Sequence, residues 1–435
     1  MMRALKSPLV NSYLAYKQHL LPASHLADVV QVTHDVVALH ATAATGPYLS
    51  LWARVPDFQR QGLEDALYER RELTRVHCMR MTVHAVPSDE VPLFFQAYVE
   101  RHTQAEFRGW EPLLVQAGMC QEGEAEALLK KLHRRVLDVL TEKGPSTARQ
   151  ISQAVPELKA KIRHDVGKSY EGEFSIGSRL MLTMSVLGLL VRARPLGTWR
   201  SSLYEYAALS NWLPDVDLES VTPQEARAWL VQRYLAAFGP ATFDDVQWWT
   251  GFSKGEAEEA LEALKPAAVE VAIEGLGDGY LMLADDAQRL HDFFPPDTPY
   301  VFLLPALDPY IMGYRDRRRF LAPEHSAKVF DRAGNAMPTI WVNGRVVGAW
   351  GQRKACGEPF GCPFDGSTEL TEVFAQGMAQ DRPRRTNGSV IYGLFEPVGE
   401  EERALLESEV QRLEGFLGDE FLPPRTHTPF TRALK

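Results

Sequence analysis

The sequence predicts an α+β protein, with helical blocks over the first three-fifths of the chain and a strand-rich end. Three observations predict it. Apolar residues recur at helical spacing in successive runs ahead of Pro299. A Gly-Pro-Ser/Ala-Thr string interrupts those runs twice, at matching places. After Pro299 the pattern changes to short Val-, Ile- and aromatic-rich stretches around a strong hairpin turn, Asn343-Gly344.

The first hundred residues read as one helical block: Pro8–Leu21, His25–His40 and Leu63–Tyr68, ahead of Leu73-Thr-Arg-Val76. In the second block, Leu128, Leu129, Leu132, Val136, Leu137 and Leu140 follow i, i+3/i+4 spacing from Ala127 to Leu140, with Lys130, Lys131, Arg134 and Arg135 opposite. Gly144-Pro145-Ser146-Thr147 breaks that helix and caps another through Ile151, and a third runs from about Ser175 to Leu187. Leu189–Arg194 and Gly197–Arg200 then suggest two short strands about a turn. Helix, turn, helix, helix, hairpin is winged-helix order. It recurs: Ala226–Phe238, a Gly239-Pro240-Ala241-Thr242 stop and cap, Phe243–Trp249, a Ser253-capped helix to Leu264, and Val269–Ile273 with Tyr280–Leu283 as the hairpin. Beyond Pro299, Tyr300–Leu304, Thr339–Val342, Arg345–Trp350 and Val390–Leu394 are strand-like, and Glu400–Leu417 is helical. Lys354–Ser389 has no clear period and reads as an insertion or long loop, and the Pro-rich tail reads as loose.

Length and composition bound the function. At 435 residues the chain has room for three or four small domains, and 45% hydrophobic with 24% charged residues excludes extensive disorder. No stretch approaches the ~18 apolar residues of a membrane span. The basic start, Met1 to Pro8, is not followed by an apolar run, so no secretory leader is expected. Four scattered cysteines, Cys78, Cys120, Cys356 and Cys362, make neither a disulfide framework nor a zinc tetrad. The expectation is a reduced, cytoplasmic, metal-free protein. A net charge of −10 excludes a simple polybasic nucleic-acid binder. The charge is nonetheless segregated: Lys130–Arg200 carries 14 basic against 6 acidic residues and Tyr300–Lys354 carries 9 against 4. Gly255–Ala287 carries 9 acidic residues against one basic. That distribution fits either one basic face or ordinary solvated helix faces. Duplicated winged-helix units suggest nucleic-acid binding, because each offers a helix for the major groove and a basic hairpin for the backbone; such units also serve as protein–protein scaffolds.

Several strings are more specific. Tyr48-Leu-Ser-Leu-Trp52-Ala-Arg54, Met79-Arg80-Met81-Thr82-Val83-His84 and Arg233-Tyr-Leu-Ala-Ala-Phe-Gly239-Pro240-Ala-Thr242 form one set. Leu303-Leu-Pro305-Ala-Leu-Asp308-Pro-Tyr310-Ile-Met-Gly313-Tyr314-Arg315-Asp316-Arg317 and Val342-Asn-Gly344-Arg-Val-Val-Gly348-Ala-Trp350 form the other. In this order they resemble the bacterial winged-helix DNA glycosylases of the AlkZ/YcaQ-like family, one member of which confers azinomycin resistance. The resemblance runs from about residue 10 to about residue 418, apart from 354–389. It implies three tandem winged-helix domains and a C-terminal β-barrel-like domain around a DNA channel. In this chain those would span 1–105, 106–215, 216–298 and 299–420, the last with the insertion 354–389 and a closing helix, followed by a tail, 421–435. It also implies a monofunctional glycosylase acting on N-alkylated purines, including bulky N7 adducts and crosslinks, on double-stranded DNA in the cytoplasm, as a monomer without cofactor or metal.

Family members carry Gln-x-Gln or Gln-x-Asp upstream of the Leu-Trp-Ala-Arg string. Counting back from Trp52, the matching run is Leu39-His40-Ala41-Thr42, so His40 and Thr42 occupy the catalytic positions. Gln31-Val32-Thr33 keeps a glutamine but lies nine residues too early. An alkylated purine carries a positive charge and leaves neutral, so the enzyme needs only to hold a water under C1′ and stabilise an oxocarbenium-like sugar. A neutral imidazole and a hydroxyl suit that task, and an imidazole of pKa near 6.5 also serves as a base. On a continuous helix Asp35, offset from His40 by five residues, is an imperfectly aligned candidate for its supporting carboxylate. The alternative is a non-catalytic DNA-binding protein, a damage sensor or a transcription regulator, with His40 as a core or capping residue. DNA positioning is expected from Arg179, Arg192, Arg194 and Arg200 in the second block and from Arg315, Arg317 and Arg318 after Tyr314. For Arg54, Arg80 and His84, structural pairing and DNA contact stay equally open, whereas Trp248 and Trp249 read as core and Asp308, Tyr310 and Trp350 as markers of the C-terminal fold.

Overall fold

The computed structural model describes residues 4–164, 172–265, 267–352, 384–385 and 390–422. It shows an α+β fold in which one topology occurs three times. In the first block, helix Val29–Asp35 leads to β1 (Leu39–His40), helix Gly46–Trp52, helix Arg60–Glu64, and the hairpin of β2 (Leu73–His77) and β3 (Val83–Pro87). β1 pairs antiparallel with β3, giving the order β1-β3-β2. The second block repeats this with helix Ala125–Lys143, β4 (Ser146–Thr147), helix Ala148–Ala154, an inserted hairpin of β5 (Lys161–His164) and β6 (Gly172–Ser175), helix Ile176–Val186, and the hairpin of β7 (Leu190–Pro195) and β8 (Tyr204–Ala208). Its sheet order is β4-β8-β7. The third block has helix Pro223–Phe238, β9 (Ala241–Thr242), helices Phe243–Thr250 and Lys254–Leu264, and the hairpin of β10 (Ala268–Ile273) and β11 (Gly277–Leu283), ordered β10-β11-β9.

Side-chain caps explain where these helices begin. Thr147 with Gln150, Thr222 with Glu225, Thr242 with Asp245 and Ser253 with Glu256 each form a reciprocal capping box, satisfying two backbone donors that the first turn leaves unpaired. Each such cap stabilises by about 1 kcal/mol.

The C-terminal block carries β12 (Val301–Leu304), β13 (Thr339–Val342), β14 (Arg345–Gln352), β15 (Arg384–Arg385) and β16 (Val390–Leu394), in the order β12-β13-β14-β16-β15. Among the described residues this sheet is open, so the barrel-like expectation is corrected: β12 and β15 are edges, and they do not pair with one another. Asn343 and Gly344, at φ 49° and 75°, make the hairpin turn between β13 and β14. A Cβ at Gly344 would also lie 2.7 Å from that of Asn11, so the turn needs glycine twice over. Helix Glu400–Leu417 covers the sheet with Leu406, Val410, Leu413 and Leu417. Nearly all of 354–389 and of the tail 421–435 lies outside the described residues, as do Cys356 and Cys362.

Two further expectations are corrected. The run His25–His40 is not one helix: it stops at Asp35, Val37 adopts φ 71°, and the chain extends into β1. The second strand of the second block is Tyr204–Ala208 rather than Gly197–Arg200, because Gly197 turns the chain at φ 90°. Leu73-Thr-Arg-Val76, which follows the expected helical stretch Leu63–Tyr68, lies in strand β2.

One hydrophobic core joins the first and third blocks to the C-terminal sheet and takes in Val191, Ala193 and Ala207 of the second block's hairpin, while that block's helices have their own around Trp110, Leu129, Leu132, Ile151, Leu180 and Met184. The first helix, Ser7–Lys17, sits in the larger core. Asn11 donates to Arg319 O (3.0 Å), Tyr13 to the Asp286 carboxylate (2.7 Å), and Gln18 Nε2 to Ala237 O (3.1 Å). Arg54, buried in the first block, makes a two-pronged ion pair with buried Asp308 after β12, at 2.7 and 2.8 Å. Among the described residues no helix is long and apolar enough to cross a membrane.

Candidate functional site

The break after Asp35 places His40. With Val37 turned at φ 71°, a conformation β-branched residues rarely take, the chain leaves its helix and lays His40 against β3. His40 pairs directly with His84, and the next ladder bond is Ala41 N–H to Val83 O at 2.8 Å. The two imidazole rings meet edge to face, centroids 5.1 Å apart. Helix Gly46–Trp52 then passes so close that a Cβ on Gly46 would lie 2.5 Å from His40 O.

His40 and His84 open into a small pocket whose other walls come from all over the chain. Val36, Ala38, Met79 and Arg80 belong to the first block, Phe238 and Trp249 to the third, and Leu307, Pro309 and Met312 to the C-terminal block. Its water-accessible volume is about 20 Å³, room for a single water. Burial, reinforced by the neighbouring His40, holds the His84 pKa well below the usual imidazole value, so His84 is neutral at physiological pH. The ring is oriented by Thr82 O at 3.2 Å and Cys78 Sγ at 3.3 Å from its Nδ1. Thr42 follows His40 by two residues and is exposed.

Asp35 is not brought to His40. Its carboxylate receives His19 Nε2 (2.9 Å), His34 Nδ1 (3.1 Å) and Gln31 Nε2 (2.8 Å). Burial alone would raise its pKa, but these hydrogen bonds outweigh it and hold the group below the usual carboxylate range. Gln31 lies exposed on the outer side of its helix, and Thr33 is buried, bonding back to Val29 O; neither lines the pocket.

The basic residues divide into two kinds. Arg194 pairs with Glu64 and Glu69, Arg200 with Glu420, Arg315 with Asp244, and Arg318 with Asp316. For Arg179, Arg192 and Arg317 no carboxylate lies within ion-pair distance among the described residues; they stack instead on Trp110 (5.3 Å), Tyr204 (4.4 Å) and Phe330 (3.7 Å). Arg54 takes the structural alternative, through Asp308. Arg80 does not: its guanidinium sits 4.2 Å from the Trp248 ring at the pocket's edge. Trp249 is core, as expected, but Trp248 is only half-buried. Sequence reasoning weighed Arg80 and His84 without placing them at the site; the signal was that both lie in the string Met79–His84, which forms the turn into β3. No group of three His, Cys, Asp or Glu side chains fit to hold a metal occurs among the described residues.

This architecture has relatives. A profile of AlkZ-like DNA glycosylases matches residues 33–358, three-quarters of the chain. The chain belongs to the AlkZ-like DNA glycosylase family. The solved structure of Streptomyces sahachiroi DNA glycosylase AlkZ is similar in fold, with a TM-score of 0.62 and 18% identity, covering 86% of this chain and 95% of that one. An interstrand DNA cross-link repair glycosylase of the same organism is 31% identical over 132 residues; that stretch is 29% of this chain and 34%, about a third, of the relative. Within this AlkZ-like chain the five strings that carried the resemblance converge. Arg54 meets Asp308, Tyr234 OH donates to Gly313 O (2.8 Å), and Tyr314 OH donates to Phe238 O (2.8 Å).

Proposed function

We propose that this AlkZ-like protein is a monofunctional DNA glycosylase that excises cationic N-alkylated purines, N7 and N3 adducts and with them bulky adducts or crosslinks, and leaves an abasic site. One observation carries the reading: a pocket with room for one water, lined by His40 and the neutral imidazole of His84, at the meeting point of three blocks. In the proposed step the water oxygen bonds to C1′ as the C1′–N bond breaks. That bond's electron pair neutralises the charged purine, and the water proton passes to the His40 imidazole. Base catalysis of this kind contributes about 10²- to 10⁴-fold. Thr42, exposed beside His40, would hydrogen-bond the water or the sugar.

The three repeated units would then be tandem winged helices, 1–105, 106–215 and 216–298, with 299–420 closing a channel for double-stranded DNA. A monomer suffices, since nothing in the site needs a second copy, and the setting is the cytoplasmic nucleoid. Arg179, Arg192 and Arg317, which lack carboxylate partners among the described residues, are better placed for phosphate contact than Arg194, Arg200, Arg315 and Arg318.

The test is a duplex carrying one N7-methylguanine, and a second carrying a bulky N7 adduct, incubated with the protein and cleaved with alkali. Strand breaks that vanish with His40→Ala support the reading. Breaks on neither duplex, with tight binding to both, replace it by a damage-binding protein without catalysis. A defined footprint in undamaged DNA replaces it by a regulator.

A further inference from the structure

Arg80 and Arg317 are drawn to one place by unrelated parts of the chain. Arg80 sits in the turn between β2 and β3 in a left-handed conformation, φ 52° and ψ 32°. Its guanidinium is 4.2 Å from the centre of the Trp248 ring, and that of Arg317 is 5.2 Å from the same ring. Both supports are built. Gly251, at φ 72°, ends the Trp248 helix and leaves room for the Arg80 stem, which a Cβ there would meet at 3.1 Å. Buried Asp245 accepts the backbone N–H groups of Arg315 (2.7 Å) and Asp316 (2.9 Å), fixing the loop that delivers Arg317.

Two like charges on one indole repel. Burial and the charge of Arg80 push the Arg317 pKa down to about 10, against the pull of Asp245. Both Asp245 oxygens are already occupied, one by that loop and the other by the Thr242 cap. Among the described residues no carboxylate stands within ion-pair distance of either guanidinium. A planar, partly dehydrated pair of this kind matches the two non-bridging oxygens of a phosphodiester, whose single negative charge offsets part of their mutual repulsion. Arg80 also lines the pocket of His40 and His84, so the anion would lie beside the reacting nucleotide.

We propose that Arg80 and Arg317, carried on Trp248, form a clamp for one DNA backbone phosphate next to the nucleotide held at His40. This rests on the glycosylase reading for the identity of that nucleotide. The clamp is tested by binding alone, with duplexes carrying an uncleavable tetrahydrofuran abasic site and a single methylphosphonate stepped across the flanking positions. Wild-type protein loses about tenfold in affinity at one or two adjacent positions, the scale of one charge-assisted contact. Arg80→Gln combined with Arg317→Gln loses the same amount on the all-phosphate duplex and is indifferent to methylphosphonate at those positions. The double variant's salt slope falls by about one, for the one phosphate no longer neutralised, and that of folded Arg80→Lys, which keeps its charge, does not. Wild-type affinity unchanged at every methylphosphonate position overturns the clamp without recourse to any variant, as does an unaltered salt slope in folded double variant. If the clamp signature appears but no N-alkylpurine is excised, the glycosylase reading fails and the clamp stands. Excision without the signature does the opposite: the clamp fails and the glycosylase reading stands.

Discussion

Gly46→Ala should damage the site although Gly46 does not itself line the pocket. The added Cβ would lie 2.5 Å from His40 O, and contacts of that kind are ordinary only beyond 3.4 Å and very tight below 3.0 Å. The strand and helix must therefore separate by 0.5 to 0.9 Å. The oxygen is backbone, and β1 is tied down by its pairing with β3 and by Ala41 N–H to Val83 O, so it has little freedom to yield. Overpacking of this size costs about 1–3 kcal/mol of stability. A displacement near 1 Å in a positioned catalytic group costs about 10²-fold in rate. Single-turnover excision of N7-methylguanine and thermal unfolding measure the two effects separately. Gly62→Ala is the matched control, since it lies within a helix and its Cβ would meet nothing within 4 Å; it should be neutral or stabilise by up to about 1 kcal/mol. If Gly46→Ala melts lower yet cleaves at the wild-type rate, His40 is not the positioned group.

Other expectations follow from single contacts. Arg54→Ala leaves Asp308 as a buried, unpaired charge and should cost about 3–5 kcal/mol, seen as a lower denaturation midpoint; an unchanged midpoint would show the pair to be dispensable. Burial pushes the pKa of His133 down to about 4, so between the unfolded value near 6.5 and 4 only the unfolded chain binds that proton. Stability is therefore full above about pH 7 and falls by about 3 kcal/mol towards pH 4 from this group, with buried His84 adding in the same direction. His133→Leu should flatten that acid slope, and a slope as steep as the wild type's would assign it elsewhere. Thr42→Val, at an exposed position, should leave stability within about 0.5 kcal/mol while slowing excision. An unaffected rate would remove the hydroxyl from the mechanism.

Much of the fold was legible in the sequence wherever local chemistry and tertiary context agreed. Thr242 and Ser253 announced their helices, Asn343-Gly344 its hairpin, and Thr339–Val342, Val390–Leu394 and Glu400–Leu417 keep the expected limits. The misreadings came where they disagreed. Val36-Val37-Ala38-Leu39 continues a helical period, yet those side chains are buried against β3 and neighbouring parts of the core, and only a turn at Val37 achieves that. The hairpin of β5 and β6 is too charged to show a strand pattern. His40 and Thr42 could be located by counting from Trp52, but the pocket itself could not. Its walls come from residues 36–84, 238–249 and 307–312, and no local period records that they meet.

The pairing of Arg54 with Asp308 also sets a clock. The carboxylate is made 254 residues after the guanidinium, and at typical synthesis rates of about 5–20 residues per second it reaches the growing chain roughly 13–50 s later. For that interval the imidazole pair has its own strand ladder but no wall from Leu307, Pro309 or Met312. A half-made polypeptide thus carries the two imidazole rings without the walls that enclose their pocket. The pocket is completed only once the late segment has emerged and docked.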